Sequence, residues 1–145
     1  MVVSGTDTGA RMRVLVYSDN ADTREQVRLA IGRRPAADVP RVEFVECATA
    51  PVVIRKLEDN DPAAAIDVAV FDGEASPVGG MGLCRQVKDE IYRCPPVLLL
   101  VGRRDDGWLA TWSQAEQVVS HPIDPVALAE SLAELMRQRV AALSG

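Results

Sequence analysis

Five short apolar runs, separated by longer stretches of helical period, constrain this chain more than any other feature. They are VLVY (Val14 to Tyr17), VEFVE (Val42 to Glu46), VAVF (Val68 to Phe71), VLLLV (Val97 to Val101) and VV (Val118, Val119). Runs this apolar suit strands buried on both faces, which is the condition of a parallel sheet covered by helices. The intervening segments carry the helix signals. Asp22 to Arg33 opens with Asp and has Glu25 three residues later, a capping-box pattern, followed by Val27, Ala30 and Ile31. Pro51 to Leu57 starts with proline at a first-turn position. Met81 to Tyr92 places Leu83, Val87 and Ile91 at steps of four ahead of Pro95 and Pro96, and a weaker pattern runs from Asp106 to Glu116. Asp124 followed by Pro125 announces the last helix, with Val126, Leu128, Leu132, Leu135 and Val140 on its apolar side. Right-handed crossovers then leave few topologies. The expected fold is α/β, a three-layer flavodoxin-like arrangement with the sheet order 2-1-3-4-5.

The 145 residues match one ordinary domain. Residues 1–11, rich in Gly, Ser and Thr, read as a flexible lead-in, and 12–143 as a single domain with no output domain behind it. No apolar stretch approaches the roughly 20 residues of a membrane span and no signal segment precedes the first strand, so the expected location is the cytoplasm. A net charge of −5 opposes nucleic-acid binding, which rests on clustered Lys and Arg. The pairs Arg33/Arg34 and Arg103/Arg104 read as solvated loop charge. Cys47, Cys84 and Cys94 form no metal spacing and read as packing residues in a reducing compartment.

In an open parallel sheet, ligands bind beyond the carboxyl ends of the strands where the strand order reverses, here between the first and third strands. Ser18, Asp19 and Asn20 follow the first strand; Asp72, Gly73 and Glu74 follow the third. Two carboxylates on adjacent strand ends supply hard oxygen ligands for Mg²⁺, and a cation lets a phosphoryl group approach a carboxylate. Two readings stand open on the residues alone. Either this is a cation and phosphoryl site, or Asp19 and Asn20 help cap the next helix and Asp72 starts a turn.

From Met12 to Leu143 the sequence resembles the receiver domain of bacterial two-component response regulators. The resemblance rests on VLVYSDN, DVAVFDGEASP, the pair Gly82-Leu83, PVLLLVG, and His121-Pro122 ahead of a final amphipathic helix. It implies that Asp72 accepts a phosphoryl group from a histidine kinase or phosphotransfer protein, that Asp19 is a direct Mg²⁺ ligand, and that the backbone carbonyl of Glu74 is a third ligand. It also implies a non-enzymatic role, with partner docking or homodimer formation on the face built by the fourth helix, fifth strand and last helix. Trp108 and Trp112, four apart, lie on that fourth helix; one indole is expected to pack on the sheet and the other to mark the docking surface.

Four positions depart from the family pattern. Ser18 replaces an acid, which lowers the expected metal affinity. Val101 replaces the Thr or Ser that bonds the phosphoryl oxygen. Val118 stands where an aromatic changes rotamer. His121 replaces a Lys with a shorter side chain, only partly cationic near neutral pH, and Asp72 is its expected hydrogen-bond partner. A hydrogen bond to a charged group contributes about 1.5–3 kcal/mol, whereas driving a switch from 1:99 to 99:1 takes about 5.5 kcal/mol. The expected function is therefore a stand-alone, atypical receiver whose switch is weakly coupled to Asp72. The alternatives are a pseudo-receiver adaptor independent of phosphorylation and, last, a flavodoxin-like cofactor enzyme, which the missing glycine-rich phosphate loop opposes.

Overall fold

The structure, a computed structural model, describes residues 11–102 and 108–144. The lead-in before Arg11, the pair Arg103/Arg104 and the start of the Asp106 helix lie outside the described residues. The strands are β1 (Arg11–Tyr17), β2 (Arg41–Cys47), β3 (Val68–Asp72), β4 (Val97–Val101) and β5 (Gln117–Ser120). The helices are α1 (Ala21–Ile31), α2 (Ala50–Glu58), α3 (Gly80–Glu90), α4 (Trp108–Ser113) and α5 (Pro125–Ser144), with a short 3-10 turn at Pro62–Ala64. All strand pairs are parallel and the order is β2-β1-β3-β4-β5, as expected from the alternating pattern.

Side chains along each strand point to opposite faces in turn, and this divides the core in two. One layer joins Val14, Val16, Val68, Val70, Leu98 and Leu100 to Val27 and Ile31 of α1 and to Leu128, Leu132, Leu135 and Met136 of α5. The other joins Leu15, Tyr17, Ala69, Phe71, Leu99 and Val101 to Val53 of α2 and to Leu83, Cys84 and Val87 of α3. Every residue of β3 and β4 is buried, which is why those runs read as unbroken apolar sequence. At the edge, β2 is mostly half-exposed.

Two boundaries differ from the sequence expectation. β1 begins at Arg11, paired with Arg41, one residue before the expected domain start. The cap of α1 is Asn20, as one of the two open readings of the Asp19-Asn20 pair had it, rather than Asp22: the Asn20 side chain accepts from the Asp22 and Thr23 amides, and Asp22 falls in the first turn. A local pattern reports that a cap exists, but the exit of the chain from β1 decides which residue holds the extended cap conformation. The other caps agree with expectation, with proline in the first turn of α2 and the Asp124 carboxylate accepting from the Val126 and Ala127 amides. Cys47 and Cys84 are buried and Cys94 half-buried, all three as free thiols. Burial pushes the Cys84 thiol up to about 12 and the Cys94 thiol to about 11, so both stay protonated packing groups.

Candidate functional site

The pairing of Tyr17 with Phe71 across β1 and β3 sets the next residues, Ser18 and Asp72, side by side at the carboxyl end of the sheet. Both are buried, at 0% and 4% exposure. The Ser18 hydroxyl donates to Asp72 Oδ2 at 2.7 Å, and the Asn20 amide donates to the same hydroxyl at 3.1 Å. On the other side the Glu74 amide donates to Asp72 Oδ1 at 2.9 Å. Asp72 therefore starts a turn and also presents a carboxylate held at both oxygens. Above it opens a cavity of about 310 Å³ lined by Asp19, Asn20, Thr23, Asp72, Glu74, Gly102 and His121.

Asp19 is exposed at the rim and accepts from the Ser76 amide at 3.2 Å, tying the end of β1 to the loop after β3. A second tie comes from the same strand, where the Tyr17 hydroxyl donates to the Val78 carbonyl. Two glycines with little room border the site, Gly80 at the end of this loop and Gly102 after β4. A Cβ on Gly80 would lie 2.6 Å from the Asp72 carbonyl oxygen, so α3 can start directly against the site only with glycine there. A Cβ on Gly102 would lie 2.5 Å from Glu74 Oε1, and the Glu74 carboxylate lies over that backbone.

His121 follows β5, whose ladder continues through the His121 amide to the Val101 carbonyl. Its Nε2 is 3.7 Å from Asp72 Oδ1. That is ion-pair range and too long for a hydrogen bond, so the expected hydrogen bond to Asp72 is absent, and Nε2 is buried with no hydrogen-bond partner. Val101 is buried in the core, and Val118 is half-buried against the same layer. Neither tryptophan packs into the core. Trp108 is 67% and Trp112 44% exposed, which corrects the expectation that one indole is buried: α4 is six residues long and its tryptophans face outward. The Arg85 guanidinium lies 5.0 Å from the Trp112 ring centre and donates to the Trp112 carbonyl at 2.7 Å.

Tyr17, missed in the sequence reading of the site, is the residue most affected by the site's charge. Burial, then Asp19 and Asp72, raise its pKa above the usual tyrosine value. Folding thus favours the neutral phenol, and the resulting stability is complete below the unfolded tyrosine pKa and lost as pH rises through the folded one. In an ultraviolet titration of the two tyrosines, one step is expected above the ordinary tyrosine range and should be missing in Tyr17→Phe; a late step that survives the substitution would show that another group causes it.

The donor set fits a hydrated Mg²⁺, which takes one or two carboxylates and keeps several waters. Asp19 and Asp72 face one cavity, and each oxygen of Asp72 retains a free lone pair beside its single hydrogen bond. Among the described residues no three His, Cys, Asp or Glu side chains converge on one ion position, so backbone oxygen and water would have to supply the remaining coordination positions.

No family model matches the chain. It is, however, similar to two response regulatory proteins, both described as uncharacterised, from two strains of Mycobacterium tuberculosis. Each is 50% identical over 131 residues, spanning 90% of this chain and 96% of the relative. The chain belongs to the response regulators. Its fold is shared with solved receivers. A response regulator receiver domain protein from Clostridium thermocellum superposes with a TM-score of 0.71 at 18% identity, over 90% of this chain and 98% of that one. A CheY-like receiver domain protein from Methanospirillum hungatei gives 0.66 at 17% identity, over 90% and 98%. At such identities these structures speak for the fold alone. The response regulator described here is thus a receiver of two-component signalling, a class of generally non-enzymatic modules that typically bind Mg²⁺ at the phosphorylation site and interact with histidine kinases or phosphotransfer proteins. Among the described residues no helix is long and apolar enough to cross a membrane.

Proposed function

We propose that this receiver accepts a phosphoryl group on Asp72 and passes the signal on through protein contacts, with a conformational switch only weakly coupled to that event. The observation that carries the reading is the buried Asp72 carboxylate, anchored by Ser18 and the Glu74 amide, at the floor of a cavity that it shares with Asp19. Asp19 and Asp72 would hold Mg²⁺, with the Glu74 carbonyl as a third ligand. The bound cation supplies neutralising charge where the phosphoryl oxygens crowd the carboxylates. Attack by a carboxylate oxygen of Asp72 on the phosphorus of a phosphohistidine forms the acyl phosphate and returns the histidine to the donor. The anchoring hydrogen bonds keep the carboxylate in one orientation for that attack.

Weak coupling follows from what surrounds the site. Val101 has no hydroxyl to donate, and each missing charged hydrogen bond removes about 1.5–3 kcal/mol from the roughly 5.5 kcal/mol a full population shift requires. The exposed Trp108 and Trp112, with β5 and α5, form the proposed surface for a protein partner or a second copy. The same departures at Ser18, Val101 and His121 support a second reading, a pseudo-receiver adaptor that binds its partner without phosphorylation.

Incubation with acetyl phosphate and Mg²⁺, followed by intact mass measurement, tests the choice. One phosphoryl adduct per chain, absent in Asp72→Asn, is expected. A chain that gains no mass while remaining folded would overturn the phosphoacceptor reading in favour of the adaptor.

A further inference from the structure

Close to the candidate site, Arg24 stands where helix electrostatics disfavours it. It closes the first turn of α1 (Ala21–Ile31), at the positive end of the helix dipole, where a cation is ordinarily unfavourable. Two dedicated acceptors offset that cost. Helical side chains lean back toward the N-terminus, and this brings Arg24 to the exit of β1. Its Nη1 donates to the Ser18 carbonyl at 2.7 Å, while its Nε donates to Glu46 Oε1 on β2 at 3.0 Å. Glu46 Oε2 in turn lies 3.0 Å from Arg28 Nε. The Arg24 side chain is largely covered, at 17% exposure. Ser18 is thereby held at every polar atom. Its amide donates to the Cys47 carbonyl at 3.2 Å, its hydroxyl donates to Asp72 Oδ2 and accepts from the Asn20 amide, and its carbonyl takes the guanidinium.

We propose that Arg24 is a positioning residue for phosphoryl acceptance: by fixing the peptide between Ser18 and Asp19, it aims the Ser18 hydroxyl at Asp72 and so holds the reacting carboxylate in one orientation. That peptide is planar, so a bond to its carbonyl sets the direction of the chain on both sides of it. A guanidinium suits the task because its rigid fork reaches acceptors on two strands at once, whereas an ammonium is a single point of charge. Arg24 is not among the residues that line the cavity, and it acts through Ser18. The inference rests on the reading that Asp72 accepts a phosphoryl group, and adds a residue outside the cavity that sets how fast it does so.

The test is the rate of adduct formation by the whole chain, followed by intact mass over a range of acetyl phosphate concentrations with Mg²⁺, at a temperature where melting curves show every variant folded. A misplacement of about 1 Å can cost about 100-fold in rate, and Arg24→Met is expected to lower the maximal rate at least about tenfold with the half-saturating concentration nearly unchanged. Arg24→Lys, which keeps the charge and can make one of the two bonds, should fall between. Arg28→Gln, which breaks a contact with Glu46 without touching Ser18, should lose stability at most. In a Ser18→Ala background Arg24→Met should cost much less than it does alone, because residues that act through one another are not additive. A maximal rate for Arg24→Met equal to that of the parent overturns the proposal, as does an equal loss in Arg28→Gln or a loss undiminished by Ser18→Ala. If Arg24→Met does not fold, Arg24→Lys decides by the same comparisons. A parent that gains no adduct overturns the phosphoacceptor reading instead, and the amide resonances of Asn20 and Glu74, which report the bonds to Ser18 and Asp72, then decide here: displacement of both in Arg24→Lys supports the positioning role, and unchanged resonances refute it.

Discussion

Phe71→Ala is expected to cost about 3–5 kcal/mol, the range for emptying a large aromatic from a closed core. Phe71 is fully buried in the layer beneath α2 and α3. Its ring meets Tyr17 edge to face at 6.0 Å, and its Cβ would be 3.0 Å from a Cβ on Gly80, so it supports the first turn of α3. A domain of this size has only about 5–15 kcal/mol of stability, so the variant should sit close to unfolding at ambient temperature. Urea denaturation followed by circular dichroism should show a large drop in midpoint with little change in slope. A loss under about 1 kcal/mol would mean that the layer collapses around the gap, and that Asp72, one residue along the same strand, is positioned by its hydrogen bonds alone.

Ser18→Asp is expected to make the fold depend on divalent cation. Ser18 is fully buried and its hydroxyl touches Asp72 Oδ2, so a second carboxylate there would face the first with no counter-charge between them. An uncompensated buried charge costs about 3–5 kcal/mol. A cation bound between the carboxylates offsets this: at a concentration 100 times its dissociation constant, a ligand specific for the folded state contributes about 2.7 kcal/mol. The melting temperature of the variant should therefore fall well below that of the parent in chelator and climb steadily with added Mg²⁺, with a weaker climb in the parent. Equal loss with and without Mg²⁺ would show that Asp19, residue 18 and Asp72 do not enclose a common ion position.

The two variants probe neighbouring contacts across β1 and β3, Tyr17 with Phe71 and Ser18 with Asp72, and that junction between remote segments divides what could be read along the chain from what could not. The order of strands and helices, the parallel sheet, the two-layered core and the place of Asp72 at the end of β3 were all legible. They depend on apolar period, on chain entropy that favours short connections, and on the handedness of crossovers, which are properties of local sequence and of any such chain. The resemblance to receivers likewise located Asp19, Asp72 and His121 at one end of the sheet before any contact between them was known.

Tertiary structure decided the rest. The β1 and β3 register set Ser18 against Asp72, the exit from β1 chose between Asn20 and Asp22, both offered by the sequence, as the α1 cap, and the loop after β3 took up Tyr17 and Asp19 as its ties. His121 came within 3.7 Å of Asp72 without a hydrogen bond, and both tryptophans of α4 stayed outside the core. None of these follows from residue type or spacing. Each is a difference of an ångström or so in how two remote backbone segments meet, and hydrogen bonds and metal ligation are sensitive at that scale, whereas the burial of an apolar run, proportional to area and indifferent to direction, is not.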